Sequence, residues 1–198
     1  MKFVILLIII IIVAAIAILA YLYNQLVTLQ ERFKNAFAQI EVQLKRRYDL
    51  IPNLLETAKA YLKHENDTLT KVTEARNSAL AALKAASGHA DDSMAIEALN
   101  KAERQLSSTL AGFNLQMEAY PDLKANQNMM QLSEELSSTE NRIAFARQAF
   151  NDAVMAYNIQ RKSFPTILLA NTFGHSQDAS LLAFDDVKEI QNAPKVSF

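Results

Sequence analysis

An uncharged apolar segment opens the chain, and a regular pattern of apolar positions follows it without a break. Residues 3–23 carry no charged side chain, and at about 1.5 Å per residue they reach about 30 Å, the thickness of a bilayer's hydrocarbon core. Beyond them, apolar residues recur every three or four positions, which is the spacing of one helix face. These positions are Leu29, Phe33, Phe37, Ile40, Leu44, Tyr48, Ile51, Leu55, Ala58 and Leu62. The pattern predicts a membrane-spanning segment that continues as a long amphipathic helix.

The long helix is predicted to pass through a proline. From Leu29 to Leu62 the same face returns every 11 residues, which corresponds to about 3.67 residues per turn and therefore to a nearly straight helix. Pro52 lies within this pattern without shifting its phase, so we expect a kink rather than an end there. One helix is thus expected from the membrane segment to about Lys63.

Three further helices carry recognisable start and stop signals. Asn66 or Asp67 is expected to cap the second helix, and Asp91, Asp92 and Ser93 offer caps and negative charge for the start of the third. Gly88 suits the left-handed residue that follows a helix. Pro165 ends the fourth helix, because the residue before a proline avoids the helical region. The predicted ranges are 67–87, 93–119 and 126–164. Since no strand-like alternation occurs, the chain is predicted to be all-α, an N-terminal transmembrane helix continuous with an antiparallel four-helix bundle.

The predicted helix lengths suggest a shape for this bundle. The first and fourth helices reach about 60 Å beyond the membrane, whereas the second and third reach only about 30 and 40 Å. Helices joined by short connections alternate in direction, so the half near the membrane is expected to be a two-helix stalk of residues near 24–42 and 147–164. The chain then divides into a transmembrane anchor (1–23), a helical bundle (24–164), and a membrane-returning segment with a loosely held tail (165–198).

Two helices alone cannot fully cover the large apolar side chains of such a stalk. An exposed apolar patch usually marks an interaction site, so we hypothesise that copies of the chain self-associate through it. The alternative is that the C-terminal tail folds back and covers these side chains. The residues of this putative assembly surface are Phe33, Phe37, Ile40, Phe145 and Phe150.

Two parts of the chain are expected to contact lipid. One alternative interpretation of the N-terminus is a cleavable secretory signal, since Lys2 precedes the apolar run and the Ala15-Ile16-Ala17 triplet resembles a cleavage site. The run continues to Tyr23, which favours an uncleaved anchor. The expected lipid-facing residues are Phe3, Leu6, Ile9, Ile12, Ile16, Leu19, Tyr21 and Tyr23 of the anchor, and Ile167, Leu168 and Leu169 of the returning segment.

Charge and composition bear on the membrane orientation of the protein and on the classes of ligand that it can bind. Basic residues flank the span on both sides, with Lys2 before it and Arg32 and Lys34 after it, so they do not set its orientation. We expect a single-pass membrane protein with its bundle outside the cytoplasm. The net charge of −1 provides no basic field for nucleic acid. The absence of cysteine excludes disulfides and thiolate metal sites.

Polar residues beside the apolar stripe are the candidates for a functional site. In the antiparallel pairing, one polar layer of the first helix lies level with one of the fourth. Its members are Arg46, Arg47, Asp49, Glu140, Asn141 and Arg142. These groups either pair with one another and fix the register of the helices, or form a ligand or catalytic site. We favour the register layer, because mixed charges that satisfy each other need no ligand.

Motifs for other chemistry are weak. The three histidines, His64, His89 and His175, lie far apart at predicted turns, and no His-x-x-x-His or Glu-x-x-His pair supports a bundle metal site. There is no Gly-x-Ser-x-Gly nucleophile motif, and the three glycines form no phosphate loop. We therefore expect no enzymatic activity, no cofactor and no metal.

Several stretches of the sequence strongly resemble the bacterial LemA family. They are Tyr23–Val27, Asn35–Leu54, Thr139–Arg147, Tyr157-Asn158 and Phe164-Pro165. The resemblance covers about residues 21–174, and its long first block is highly specific. It implies a single N-terminal transmembrane helix fused to an antiparallel helical bundle, and no established enzymatic activity. His175 departs from the family pattern, which often has an aromatic residue after Phe-Gly.

The leading functional interpretation is a non-enzymatic, membrane-anchored scaffold or adaptor at the bacterial envelope. Its expected partners are the lipid bilayer and either further copies of the chain or another membrane protein, with no nucleic acid and no small-molecule substrate. An alternative is an extracytoplasmic domain that senses a ligand between its helices and signals through a partner membrane protein. An enzyme would need a convergent acid–base or metal set, which the sequence does not show.

Overall fold

The computed structural model describes residues 1–62 and 65–183 of the chain. The described residues form α-helices and one short 3₁₀ helix, with no strand among them, which confirms the predicted all-α class. The helices are α1 (Lys2–Lys59), α2 (Asn66–Ala86), α3 (Ser93–Met117), α4 (Pro121–Lys124) and α5 (Gln127–Lys162), followed by the 3₁₀ helix (Thr166–Leu168). Helix α1 packs mainly along α5, α2 packs mainly along α3, and α1 also contacts α2.

Helix α1 continues from the apolar N-terminal segment into the bundle. It has 58 residues and contains Pro52 in its interior, so the predicted continuity is confirmed. The helix ends at Lys59 rather than near Lys63. Its buried side chains recur every three or four residues along one face, because each turn of an amphipathic helix presents the same face to its neighbours. These side chains are Leu22, Leu26, Phe33, Phe37, Ile40, Leu44, Arg47, Tyr48, Ile51, Leu54 and Ala58.

The ends of the later helices follow their local sequence signals with one exception. Gly88 has a φ of 74° just beyond α2, a backbone conformation that glycine adopts without a side-chain clash. The Asp92 carboxylate accepts hydrogen bonds from the amides of Met94 and Ala95 at the start of α3, as predicted. The predicted cap of α2 is wrong, because Asn66 is already the first helical residue and no side chain caps this end.

The half of the bundle next to the N-terminal apolar segment is covered, which contradicts the expected two-helix stalk. The turn between α2 and α3 reaches down to α1, where Asp91 accepts a hydrogen bond from Gln30 (3.1 Å) and pairs with Lys34 (3.2 Å). The C-terminal residues 175–183 pack against α3 and α5, so this part of the tail is not loosely held. Residues 184–198 of the predicted tail lie outside the described part.

Four of the five residues of the predicted assembly surface are therefore interior. Phe33, Phe37, Ile40 and Phe150 are at most 2% exposed, while Phe145 is 75% exposed. The rings of Phe33 and Phe37 both meet Phe150 edge to face, with centroids 6.3 and 5.7 Å apart. The expectation that these four side chains remain uncovered is wrong, because they belong to the buried core, which also includes Ala179 and Leu182 of the tail.

Candidate functional site

A buried arginine forms the centre of the polar layer. Arg47 extends from α1 between α3 and α5, and its Nη1 atom donates to both carboxylate oxygens of Glu140 at 3.0 Å. Its Nη2 atom donates to Glu103 of α3, which also accepts a hydrogen bond from the Tyr48 hydroxyl. Arg47 and Glu103 are 3% and 2% exposed. One guanidinium thus joins three helices, and two carboxylates compensate its charge.

The electrostatic environment keeps Arg47 and Tyr48 each in one protonation state. Burial acts to lower the pKa of Arg47, but the nearby Glu103 and Glu140 carboxylates outweigh burial and raise it above its usual value. Burial and the Glu103 carboxylate raise the pKa of Tyr48 as well. Arg47 is therefore a permanent cation and Tyr48 a permanent hydrogen-bond donor in the neutral range.

The structure brings together only part of the predicted polar layer. Arg47 and Glu140 meet as expected, whereas Arg46 pairs with Glu135 at 3.0 Å on the surface. Asp49 lies 3.9 Å from Arg76 of α2. The side chains of Asn141 and Arg142 are exposed on α5.

Sequence reasoning missed Glu103, the most buried carboxylate of the cluster. The apolar stripe of α3 includes Leu99 and Leu106, and the helical spacing places residue 103 on the same buried face between them. A charged residue at such a position is a signal, because a buried carboxylate needs a partner of opposite charge. The apolar pattern places Tyr48 on the buried face of α1, but it does not reveal that the hydroxyl donates a hydrogen bond to Glu103.

The part of the chain that the structure describes offers no cluster of side chains suited to a metal ion. Within residues 1–62 and 65–183, no three His, Asp or Glu side chains come together in a way that would hold a metal ion. Both carboxylates that approach Arg47 are occupied by that arginine. The arrangement suits a charge-paired structural layer, and the expected absence of cofactors stays a prediction.

A groove between α3 and α5 adjoins this layer. Its distal part is an open cleft of about 480 Å³, with Glu140 on its wall and hydroxyl and amide groups from both helices. The side chains that line it are Leu54, Ser107, Leu110, Ala111, Asn114, Ser133, Leu136, Ser137, Glu140, Asn141 and Ala144. The cleft can therefore offer several hydrogen-bonding groups beside one half-exposed carboxylate.

The proximal part of the same groove holds residues 179–183 of the chain. Asn151 donates to the carbonyl of Leu182 at 3.0 Å and accepts from its amide at 2.9 Å. Asn158 makes the same pair of bonds with Ala179, both at 2.9 Å. From the opposite wall, Asn100 donates to the carbonyl of Leu181 and accepts from the amide of Ala183, both at 3.0 Å. Three asparagine side chains thus bind the backbone of one segment.

The chain also turns back toward the first helix at the predicted membrane surface. The rings of Phe173 and Tyr23 meet edge to face with centroids 5.4 Å apart. Nearby, His175 is buried and its Nδ1 atom lies 3.0 Å from the Tyr157 hydroxyl. Phe164, Ile167 and Leu168 are exposed, and Leu169 is half-buried. Although His175 departs from the pattern of the family that the sequence resembles, this end of the chain therefore still packs on the bundle.

The N-terminal part of α1 is the candidate membrane span. Among the described residues, α1 is the one helix long and apolar enough to cross a membrane, and none of its most apolar stretch is buried inside the protein. The predicted lipid-facing residues from Phe3 to Tyr23 are all exposed. A row of exposed apolar side chains needs an apolar environment, which supports membrane anchoring by length and composition.

Comparison with known proteins identifies related sequences. The sequence model of the LemA family matches residues 36–198. A protein named "Protein LemA" from Metamycoplasma hominis is 29% identical over 147 residues, which is 74% of this chain and 63% of that relative. The chain therefore covers less than two thirds of the length of this relative.

Proposed function

The chain belongs to the LemA family, and on this premise we propose that it is a non-enzymatic scaffold anchored in the bacterial cytoplasmic membrane. It holds copies of itself or another membrane protein along a helical bundle that stands outside the cytoplasm. The observation that carries this proposal is the continuity of α1 from the candidate span into the bundle. A helix that passes from lipid into water without a break couples the orientation of the bundle to that of the span.

Contact with the membrane surface at a second point supports the scaffold. Phe164, Ile167 and Leu168 are exposed at the end where Phe173 meets Tyr23. Because Tyr23 ends the apolar run, these side chains lie at the level of the lipid headgroups, where apolar and aromatic side chains are favoured. Two points of contact would restrict the tilt of the bundle more than the span alone.

Four residues of the predicted assembly surface are buried, so self-association needs a different surface. The outer face of α5 carries Phe145, Met155 and Ile159, all more than half exposed. At about 100° per residue, these positions fall within an arc of about 80° on the helix. We define Phe145, Met155 and Ile159 as the α5 outer patch. Exposed apolar patches of this kind mark protein interaction sites.

The experiment co-expresses two differently tagged full-length copies and measures their co-purification from detergent. Phe145→Glu is expected to weaken association about 30-fold, because burying one Phe side chain is worth about 2 kcal/mol. Leu115→Glu is the matched control, since Leu115 is equally exposed but lies on α3. Co-purification that survives Phe145→Glu, or is lost equally with Leu115→Glu, would contradict self-association through the α5 outer patch.

A second candidate function is ligand sensing in the cleft between α3 and α5. The cleft volume of about 480 Å³ and its serine and asparagine walls favour a small polar ligand. Glu140 links the cleft to Arg47, so a bound cation would compete for that carboxylate. If a small polar ligand raises the melting temperature of the wild-type chain but not of Asn141→Leu, the sensor is preferred to the scaffold.

A further inference from the structure

The turn that follows α5 combines exposed apolar side chains with an exposed cation. Phe164, Ile167 and Leu168 are all more than half exposed, and Lys162 precedes them as the last residue of α5. We propose that this turn is a binding site for anionic phospholipid, in which Lys162 pairs with the headgroup and the three apolar side chains enter the lipid surface. The inference rests on the second membrane contact of the proposed scaffold, and it names the class of lipid that is bound there.

The packing of α5 on α1 sets the height of Lys162 relative to the candidate span. The rings of Tyr157 and Phe33 meet with centroids 5.2 Å apart, and the two helices run in opposite directions. Lys162 lies about 8 Å beyond Tyr157 towards the span, whereas Tyr23 lies about 15 Å from Phe33 in the same direction. Lys162 is therefore about 8 Å above the end of the apolar run. The headgroup layer of a bilayer extends about 5–8 Å from the hydrocarbon core, so an ammonium at this height reaches it.

The charge at this height is unbalanced and positive. Residues 24–30 and 163–174 carry no charged side chain, while Arg161 and Lys162 share the single carboxylate of Asp178. Arg161 is largely buried, and its Nε atom donates to that carboxylate at 2.9 Å. The side chain of Lys162 is 56% exposed, and an ammonium has three donors. The unbalanced charge therefore lies on Lys162, where a headgroup can approach it.

The first charged residues of α1 beyond the span lie farther from the lipid. Glu31 and Arg32 are about 12–14 Å beyond Tyr23 by helix rise, and their charges are opposite. This distance exceeds the Debye length, which is about 8 Å at physiological ionic strength. Lys162 is closer, and its alkyl chain can lie along apolar surface while its charged end stays among the headgroups.

Neighbouring side chains of the turn suit the boundary between headgroups and acyl chains. Asn171 and Thr172 are exposed beside Phe173, whose ring meets Tyr23. Their amide and hydroxyl groups can bond to phosphate or glycerol oxygens. Insertion of the apolar side chains holds the turn at this depth for any lipid. One basic residue at the surface adds a preference for anionic lipid of about fivefold in affinity.

Lipid selectivity can be measured with a fluorophore in the turn. The full-length chain carrying Leu168→Trp is reconstituted in vesicles of equal parts phosphatidylcholine and phosphatidylglycerol, with bromine on the acyl chains of one lipid or the other. The ratio of quenching by the two brominated lipids reports which lipid lies beside the turn. We expect a preference of about fivefold for phosphatidylglycerol at low salt, which falls as salt is added.

Substitutions at two lysines assign the preference. Adding Lys162→Gln should reduce it to about one, because Arg161 and Asp178 then balance each other, and Lys162→Arg should retain it. Lys124→Gln is the matched control. The side chain of Lys124 is 62% exposed and pairs with Glu118 at 2.8 Å, but it lies at the far end of the bundle, so its loss should leave the preference unchanged.

Each contrary result has its own meaning. Equal quenching by both brominated lipids, or a preference that survives Lys162→Gln, would overturn the lipid selectivity and leave the second membrane contact in place. No quenching by either lipid would overturn that contact and the inference together. A preference lost on adding inorganic phosphate at constant ionic strength would assign Lys162 to free phosphate instead of lipid. An equal loss with Lys124→Gln would overturn the assignment to this turn.

Discussion

Glu103 occupies a position on α3 where the helical pattern would take an apolar side chain. Its charge is tolerated because Arg47 and Tyr48 both donate to it from α1. The sequence predicts that Arg47 and Glu140 share one polar layer, since helix lengths place these residues level with each other. The role of Glu103 did not follow, because the level of α3 relative to α1 depends on how far the turn at Asp91 reaches.

Removing the buried Glu103 carboxylate should lower the free energy of unfolding. Glu103→Ala leaves Arg47 with one half-exposed partner and Tyr48 with none identified in its place, so we expect a loss of about 3–5 kcal/mol in the free energy of unfolding. The matched control is Glu135→Ala, which breaks the exposed pair with Arg46 and should cost less than about 1 kcal/mol. Denaturant unfolding in detergent measures both. Equal losses would show that the buried pairing is not a stabilising centre.

The pairing of His175 with Tyr157 predicts a pH dependence. Burial and then the charge of Lys34 lower the pKa of His175 below its usual value of 6.5. The neutral ring is therefore favoured in the fold, and its stabilisation is complete above about pH 6.5 and lost as the pH falls through the lowered pKa. The protection factors of the amides of residues 170–176, taken relative to the unfolded chain at the same pH, should fall as the pH drops below about 6.5 in the wild type but not in His175→Gln. The same fall in His175→Gln would assign the effect to another group.

At the scale of elements, helices were predictable and the bound segment was not. The periodicity of apolar positions predicted α1, α2, α3 and α5 to within a few residues, because each helix buries one face. Residues 179–183 have no such period, since asparagine side chains rather than a helical or strand neighbour satisfy their backbone. Asn151 and Asn158 lie seven residues apart and therefore share one face of α5, but this spacing does not reveal the backbone segment that they bind.

Residues 179–183 should open more easily when an asparagine that binds their backbone is removed. Asn151→Ala deletes two hydrogen bonds to Leu182, and the loss of about 1–3 kcal/mol in the free energy of opening should make residues 179–183 exchange their amide hydrogens faster. The helices should keep their protection. Asn141→Ala, at an exposed position on the same helix, is the control. Unchanged exchange of the segment would show that burial of Leu182 alone holds it.

At the scale of the whole molecule, α1 joins the candidate membrane span to the bundle. The helix passes through both the end of the apolar run and Pro52. The sequence predicts this continuity because the apolar positions keep the same helical spacing on both sides of Pro52. It could not predict how completely the bundle is covered near the membrane, since that cover comes from a turn and a tail whose positions depend on contacts distant in sequence.

The membrane level of the returning segment can be measured with a single fluorophore. The chain contains no tryptophan, so Leu168→Trp provides the only one, and brominated lipid should quench it strongly, because bromine quenches over short distances within the bilayer. Leu115→Trp, also exposed but on α3, is the control and should remain unquenched. Equal quenching at both positions, or none at Leu168→Trp, would contradict the placement of the returning segment at the lipid surface.

An unbroken α1 also acts as a lever. From Tyr23 to Lys59 the helix extends about 54 Å, and transmembrane helices commonly tilt by about 20° to match bilayer thickness. A tilt of that size displaces the far end sideways by about 18 Å, so a thinner bilayer would move the tips of neighbouring bundles relative to one another. Lipid composition would thereby set which bundles can touch, without any ligand entering the protein.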